Sequence, residues 1–242
     1  MRIIFVRHGE PDYENNTLTE KGFREAEFLK DRIAKWEVDD FYTSPLERAY
    51  LTGKPALDLL NRKAEVLEWM KEFHFMLRDP ITDEIHAPWD FYPEFWTTQD
   101  LLYDRDEWFH HKMFDAIPEY AQAVYRLRSG MDALLKKYGF ERTGRFYRFS
   151  EDLPLEEAEK TIVIFGHLGS DLEAIGYLLG ISPLVLQQTV FLPACSVTVL
   201  NTEMRINRAA MFRAQCFGDV THLIEAGEQL SRMGGFSEIL DN

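Results

Sequence analysis

Two short apolar runs, each closed by a histidine, constrain this chain more than anything else in it. Ile3-Ile4-Phe5-Val6 is continuous, β-branched and aromatic, and it runs into Arg7-His8-Gly9-Glu10. Thr161-Ile162-Val163-Ile164-Phe165 has the same character and runs into Gly166-His167. Apolar runs without polar alternation read as strands buried on both faces, as in sheets covered by helices. If the two strands are neighbours, their carboxyl ends set two imidazoles side by side. That edge is where open α/β sheets collect ligand chemistry. A helix starting after His167 would add backbone N–H donors suited to an anion.

The rest of the chain alternates in the same way. Thr19 is positioned to cap a helix carrying Phe23, Ala26, Phe28, Leu29, Ile33 and Trp36 at helical spacing. A strand follows over Val38 to Tyr42, then a helix from Pro45 to about Leu60, with the proline placed early. Glu65 to Met70 reads as a third strand. A helix near Ser170 to Leu179 is stopped by Gly180, and Ser196 to Leu200 and Ala209 to Ala214 read as later strands. This order predicts an α/β fold, a three-layer α/β/α sandwich with a mostly parallel central sheet.

Phe73 to Pro118 breaks the rhythm. It holds eleven of the chain's 33 aromatic residues and four prolines, with no sustained period. We read a single domain over 1–242 with an insertion at about 73–150 that folds over the active site. The insertion ends in a helix near Glu119 to Lys137 and a hairpin over Gly139 to Phe149. Its aromatic residues are expected to line a substrate pocket or to form the contact of a homodimer, unless they are simply buried core. His110-His111 does not read as a metal site, because adjacent helical residues do not face one another and no ligand spacing accompanies them.

Charge narrows the function. With 41 acidic and 27 basic residues the net charge is -14, which opposes binding to nucleic acid or to an anionic membrane. A phosphate site here must be locally positive, as a few arginines in a narrow cleft can make it. No apolar run approaches the roughly 20 residues of a membrane span, and the first run is too short for a signal-peptide core. Cys195 and Cys216 lack metal-ligand spacing and read as free thiols in a reducing compartment. The expected location is the cytoplasm.

Thr43-Ser44-Pro45-Leu46-Glu47-Arg48-Ala49 leads a strand into a helix whose first turn carries Arg48. An arginine there can aim its fork at the carboxyl edge of the sheet and grip phosphate oxygens bidentately. Four motifs now stand in order: Arg7-His8-Gly9-Glu10, Leu18-Thr19-Glu20-Lys21-Gly22, Ser44 to Ala49, and Gly166-His167. Together they resemble the histidine phosphatase superfamily, which includes the phosphoglycerate mutases and many small-molecule phosphatases. The resemblance spans roughly residues 1–72 and 160–217.

The resemblance implies a mechanism. Neutral His8 attacks phosphorus and becomes a phosphohistidine. Arg7, Arg48 and His167 surround the transferring group. A carboxylic acid protonates the leaving alkoxide, and Glu72, in Trp69-Met70-Lys71-Glu72-Phe73, is preferred over Glu68 for that role. Asn15, with Asn16 beside it, stands where the family lends an asparagine to the phosphate, although an asparagine pair also suits a plain turn. Leu168 departs from the family pattern, which usually has a small residue after the second histidine. No metal and no cofactor is implied. The expected partner is a small phosphomonoester. A mutase of the same architecture and a silent phospholigand-binding module are the alternatives.

Overall fold

Along β1 (Arg2–Arg7), Ile3 and Phe5 point into one apolar core, while Ile4 and Val6 point into a second on the opposite face. The central sheet is therefore the middle layer of three. In the computed structural model, which describes residues 1–235, everything else is arranged around that alternation. Residues 236–242 of the expected domain lie outside the described residues.

After β1 the chain forms a small ladder, β2 (Pro11–Asp12) against β3 (Thr17–Leu18). It then enters α1 (Glu20–Ile33), whose first turn is capped by Thr19 accepting from the Gly22 N–H at 3.1 Å. β4 (Asp40–Thr43) leads into α2 (Glu47–Leu59). The buried faces of α1 and α2 supply Leu29, Ile33, Ala49, Ala56 and Leu57 to the second core. β5 (Ala64–Val66) follows at the sheet edge. The expected strand to Met70 stops here: Glu68–Met70 is a 3-10 turn. Leu67 and Met70 both turn into the core while Val66 is half exposed, a pattern that an edge strand alternating to one covered face cannot continue.

The 73–118 region is built from short pieces, namely the β6 (Leu77–Arg78) and β7 (Ile85–His86) pair, the four-residue α3 (Pro93–Trp96) and several 3-10 turns. Aromatic packing holds it together. Trp108 meets Phe109, Phe114 and Tyr120 edge to face, with centroids 5.5–5.8 Å apart. This cluster joins α4 (Pro118–Lys137) to the first core. His111 is spent locally, accepting from the Met113 N–H and pairing with Gln99. Among the described residues no group of three His, Cys, Asp or Glu could hold a metal ion.

β8 (Phe140–Thr143) and β9 (Phe146–Phe149) form the expected hairpin, but they extend the main sheet. β10 (Thr161–Gly166) returns the chain to the centre of the sheet, and α5 (Leu168–Leu179) and α6 (Pro183–Thr189) pack behind it. β11 (Val197–Met204), β12 (Ala209–Asp219) and the short α7 (Thr221–Glu225) complete the described chain. The strand order is β5-β4-β10-β1-β11-β12-β9-β8. The first four are mutually parallel, while the remaining pairings are antiparallel. The division follows connection length: helices cross over between the parallel strands, whereas tight turns join β8 to β9 and β11 to β12. No helix among the described residues is long and apolar enough to cross a membrane.

α2 approaches β10 closely at Gly53, where an added Cβ would fall 2.5 Å from the buried Phe165 ring. Gly53→Val should lower stability by about 2–3 kcal/mol despite its better helix propensity. Urea unfolding showing no loss would contradict this packing.

Candidate active site

β1 and β10 are parallel neighbours, paired so that Arg7 lies opposite Gly166. The next residue on each strand is the histidine. The two imidazoles face one another with ring centroids 5.1 Å apart and planes tilted by 59°. His8 is 1% exposed and His167 is fully buried.

Three contacts hold the loop that carries His8. The His8 N–H donates to the Gly166 carbonyl at 3.0 Å, and the Gly9 N–H donates to Thr52 Oγ1 of α2 at 2.9 Å. The Glu10 N–H donates to Glu25 Oε2 of α1 at 2.7 Å. Gly9 is required by contact, since a Cβ there would sit 2.8 Å from the Gly22 carbonyl oxygen. His8 Nδ1 lies 2.7 Å from the Gly9 carbonyl, so a neutral ring donates its Nδ1–H there and keeps the lone pair on Nε2. His167 Nε2 lies 2.6 Å from Ser44 Oγ.

Both imidazoles are held neutral. Burial pushes His8 well below the ordinary imidazole value, and the Arg7 guanidinium adds to this. His167 is lowered in the same way by burial, then by His8 and Arg48. Arg7 and Arg48 are 3% and 4% exposed. Arg7 Nη1 donates to the Leu192 carbonyl. The Arg48 side chain makes no hydrogen bond among the described residues, although its guanidinium lies 5.4 Å from the centre of the Tyr13 ring. A buried guanidinium without hydrogen bonds is costly to maintain in a fold unless an anion visits it.

Glu72 sits at the N-terminus of α5. Its carboxylate accepts from the N–H groups of Phe73, Gly169 and Ser170 at 2.9–3.3 Å. Gly169 permits this approach, because a Cβ there would fall 2.7 Å from Glu72 Oε1 and 2.9 Å from the Trp89 ring. Glu72 also interacts electrostatically with Arg7 and Arg48. Glu68 is exposed in its 3-10 turn and has no such link to the arginines. Leu168, the bulky residue after the second histidine, is partly buried and packs against the first core.

One expected residue is not brought to this pocket. Asn15 is exposed, and its side-chain amide donates to Asp12 Oδ2 at 2.7 Å while its backbone N–H donates to Asp12 Oδ1 at 3.1 Å. The asparagine pair serves the turn, with Asn16 at a positive φ of 52°. Three other residues join the site without having been singled out for it: Ser44 through His167, Tyr13 over Arg48, and Trp89 against Gly169. Ser44 stood in a quoted motif, adjacent to the strand end. Trp89 carried no signal beyond the aromatic richness of its region.

A family model described as histidine phosphatase superfamily (branch 1) matches residues 3–213. A 2,3-bisphosphoglycerate-dependent phosphoglycerate mutase of Thermoplasma acidophilum is 36% identical over 69 residues, 24% of this chain and 34% of that protein. A protein named putative phosphoserine phosphatase 2, of Hydrogenobacter thermophilus, is 32% identical over 83 residues, 31% of this chain and 41% of the relative. The chain thus spans well under half the length of these curated relatives. Among solved structures, a phosphoserine phosphatase mutant of Entamoeba histolytica in complex with phosphoserine aligns with a TM-score of 0.56. The two share 22% identity over 92% of this chain and 98% of the other, a likeness of fold.

The histidine pair makes a prediction about pH. Folded His8 and His167 take up protons less readily than they do unfolded. Their contribution to stability is complete above the unfolded value near 6.5 and is lost as pH falls below it. Ring-nitrogen NMR at about pH 6 should find both imidazoles still neutral, below the ordinary titration midpoint. A charged His8 at that pH would refute the electrostatic description.

Proposed function

The chain belongs to the histidine phosphatase superfamily, and on that footing we propose that it hydrolyses a small phosphomonoester through a phosphohistidine on His8. The observation that carries this reading is the pair of buried imidazoles 5.1 Å apart beside two buried guanidiniums, a setting that pushes both imidazoles well below their ordinary value. An imidazole that is neutral near pH 7 keeps its nucleophilic lone pair, and the Nδ1 contact with the Gly9 carbonyl leaves that lone pair on Nε2.

In the first step Nε2 of His8 attacks phosphorus. The P–N bond forms as the P–O bond to the alcohol breaks, and Glu72 gives its proton to the departing oxygen. Arg7, Arg48 and His167 offset charge on the three equatorial oxygens, where Arg48 Nε has no competing acceptor among the described residues. In the second step the Glu72 carboxylate takes a proton from water, the new O–P bond forms, and the P–N bond breaks. Inorganic phosphate leaves and His8 returns to its neutral state. Glu72 is the better candidate than Glu68 because it alone of the two faces both arginines.

A mutase would pass the phosphoryl group to a second hydroxyl of the same molecule in place of water. The short β2–β3 ladder after the first motif, without the longer loop of the mutase group, favours hydrolysis. A silent binding module would have no use for an acid and a nucleophile in one pocket.

The test is phosphate release from p-nitrophenyl phosphate and from a panel of phosphorylated metabolites. Turnover should resist EDTA and be inhibited by vanadate, and His8→Ala should reduce it at least about 10³-fold, on the scale of losing a nucleophile. Survival of activity in that variant would remove His8 from the mechanism. Glu72→Gln should cost about 10²-fold or more with alkyl esters and much less with p-nitrophenyl phosphate, whose leaving group hardly needs a proton. Equal losses on both, or a larger loss from Glu68→Gln, would reassign the acid.

A further inference from the structure

A cleft of about 860 Å³ opens beside Glu72, between residues 68–75 and α4. Its walls include Trp69, Phe73, Phe75, Ala123 and Tyr125. Glu72 lines this cleft and also interacts electrostatically with Arg7 and Arg48 of the histidine pocket. In an in-line displacement the leaving oxygen lies opposite the nucleophile and within hydrogen-bond reach of the acid. A leaving group that passes Glu72 would enter this cleft.

The size and surface of the cleft describe what it takes. Its volume lies toward the upper end of the range of about 300–1,000 Å³ found for sites that hold drug-sized, largely apolar ligands. A three-carbon chain would fill a small part of it. The aromatic walls are also held in place. The Trp69 ring lies against α4 at Gly130, where a Cβ would fall 2.3 Å from it. Glycine inside a helix costs about 1 kcal/mol relative to alanine, and here it makes room for the indole. Tyr125 is fixed by an edge-to-face contact with Phe109 at 5.1 Å and by its hydroxyl 3.0 Å from His110 Nε2. Phe75 packs on Tyr120 with centroids 4.9 Å apart. Fixed aromatic faces bind flat rings at little cost in side-chain entropy.

Resting on the phosphatase reading above, we propose that this cleft is the leaving-group site and that the preferred substrates are phosphomonoesters whose alcohol carries a flat ring system. Trp69, Phe75 and Tyr125 determine that preference.

Ethyl phosphate and 2-(2-naphthyl)ethyl phosphate test it, because their alkoxides have similar basicity and they differ in the ring. The wild-type enzyme should show kcat/KM at least about tenfold higher for the naphthyl ester, and should prefer it to phosphoserine, a tenfold factor being what about 1.4 kcal/mol of added contact gives. Ala123→Leu fills the cleft from α4 and removes nothing from the phosphate pocket. It should bring the ratio to within about threefold, chiefly by raising KM for the naphthyl ester. Trp69→Ala should act in the same direction. Equal kcat/KM for the two esters in the wild type overturns the inference, as does an undiminished ratio in an Ala123→Leu variant whose circular dichroism is native. Turnover of p-nitrophenyl and ethyl phosphate without ring preference defeats this inference alone. Phosphate release from none of the esters defeats the phosphatase reading and this inference with it.

Discussion

The pairing of β1 with β10 is the constraint on which the rest depends. Because the strands are parallel and in register from Arg2 opposite Thr161 to Arg7 opposite Gly166, both carboxyl ends stop at the same level. The histidine that follows each strand is thereby delivered to one place, although His8 and His167 are 159 positions apart in sequence. A slip of one residue would turn every inward side chain of β1 to the other face. The register is secured on both faces, since Ile3 and Phe5 fill one core while Ile4 and Val6 fill the other. The apolar packing of two strands thus sets the geometry of a polar site.

That site opposes the stability of the fold around it. Two guanidiniums and two imidazoles are removed from water, with no carboxylate among the described residues forming an ion pair to either arginine. Burial resolves the conflict at the histidines by keeping them neutral, which is also the state a nucleophile needs. The arginines cannot shed their charge, and Arg48 is left without hydrogen bonds among the described residues. Glu72 supplies electrostatic compensation while being held by the N–H groups of Phe73 and of Gly169 and Ser170 at the start of α5. Asp171 and Glu25 also act electrostatically on Arg7, so the pocket is balanced locally within a chain of net charge -14.

Particular residues mark where sequence reading runs out. The Glu65–Met70 run looks like a strand because its residues are β-compatible, yet it breaks at Leu67, where its neighbour β4 ends at Thr43 and Leu67 and Met70 turn into the core. Asn15 fits a phosphate contact by position, but its short-range bonds to Asp12 win over a reach into the pocket. Tyr13 and Trp89 reach the site only through the paths of their loops. Neither periodicity nor spacing encodes such paths. The hairpin over residues 140–149 was legible as a hairpin, but its place beside β12 was not, since strand order depends on contacts distant in sequence.

By itself the sequence determined the strand-histidine units, the helix caps, the arginine in the first turn of α2 and the candidate acids, because each rests on local chemistry within a few residues. Only the tertiary structure decided that the two histidines meet, that Glu72 and not Glu68 faces the arginines, and that an aromatic-walled cleft begins at Glu72. Those facts belong to pairs of residues far apart in the chain. Their distance is settled by which faces bury together, and no local pattern carries that information.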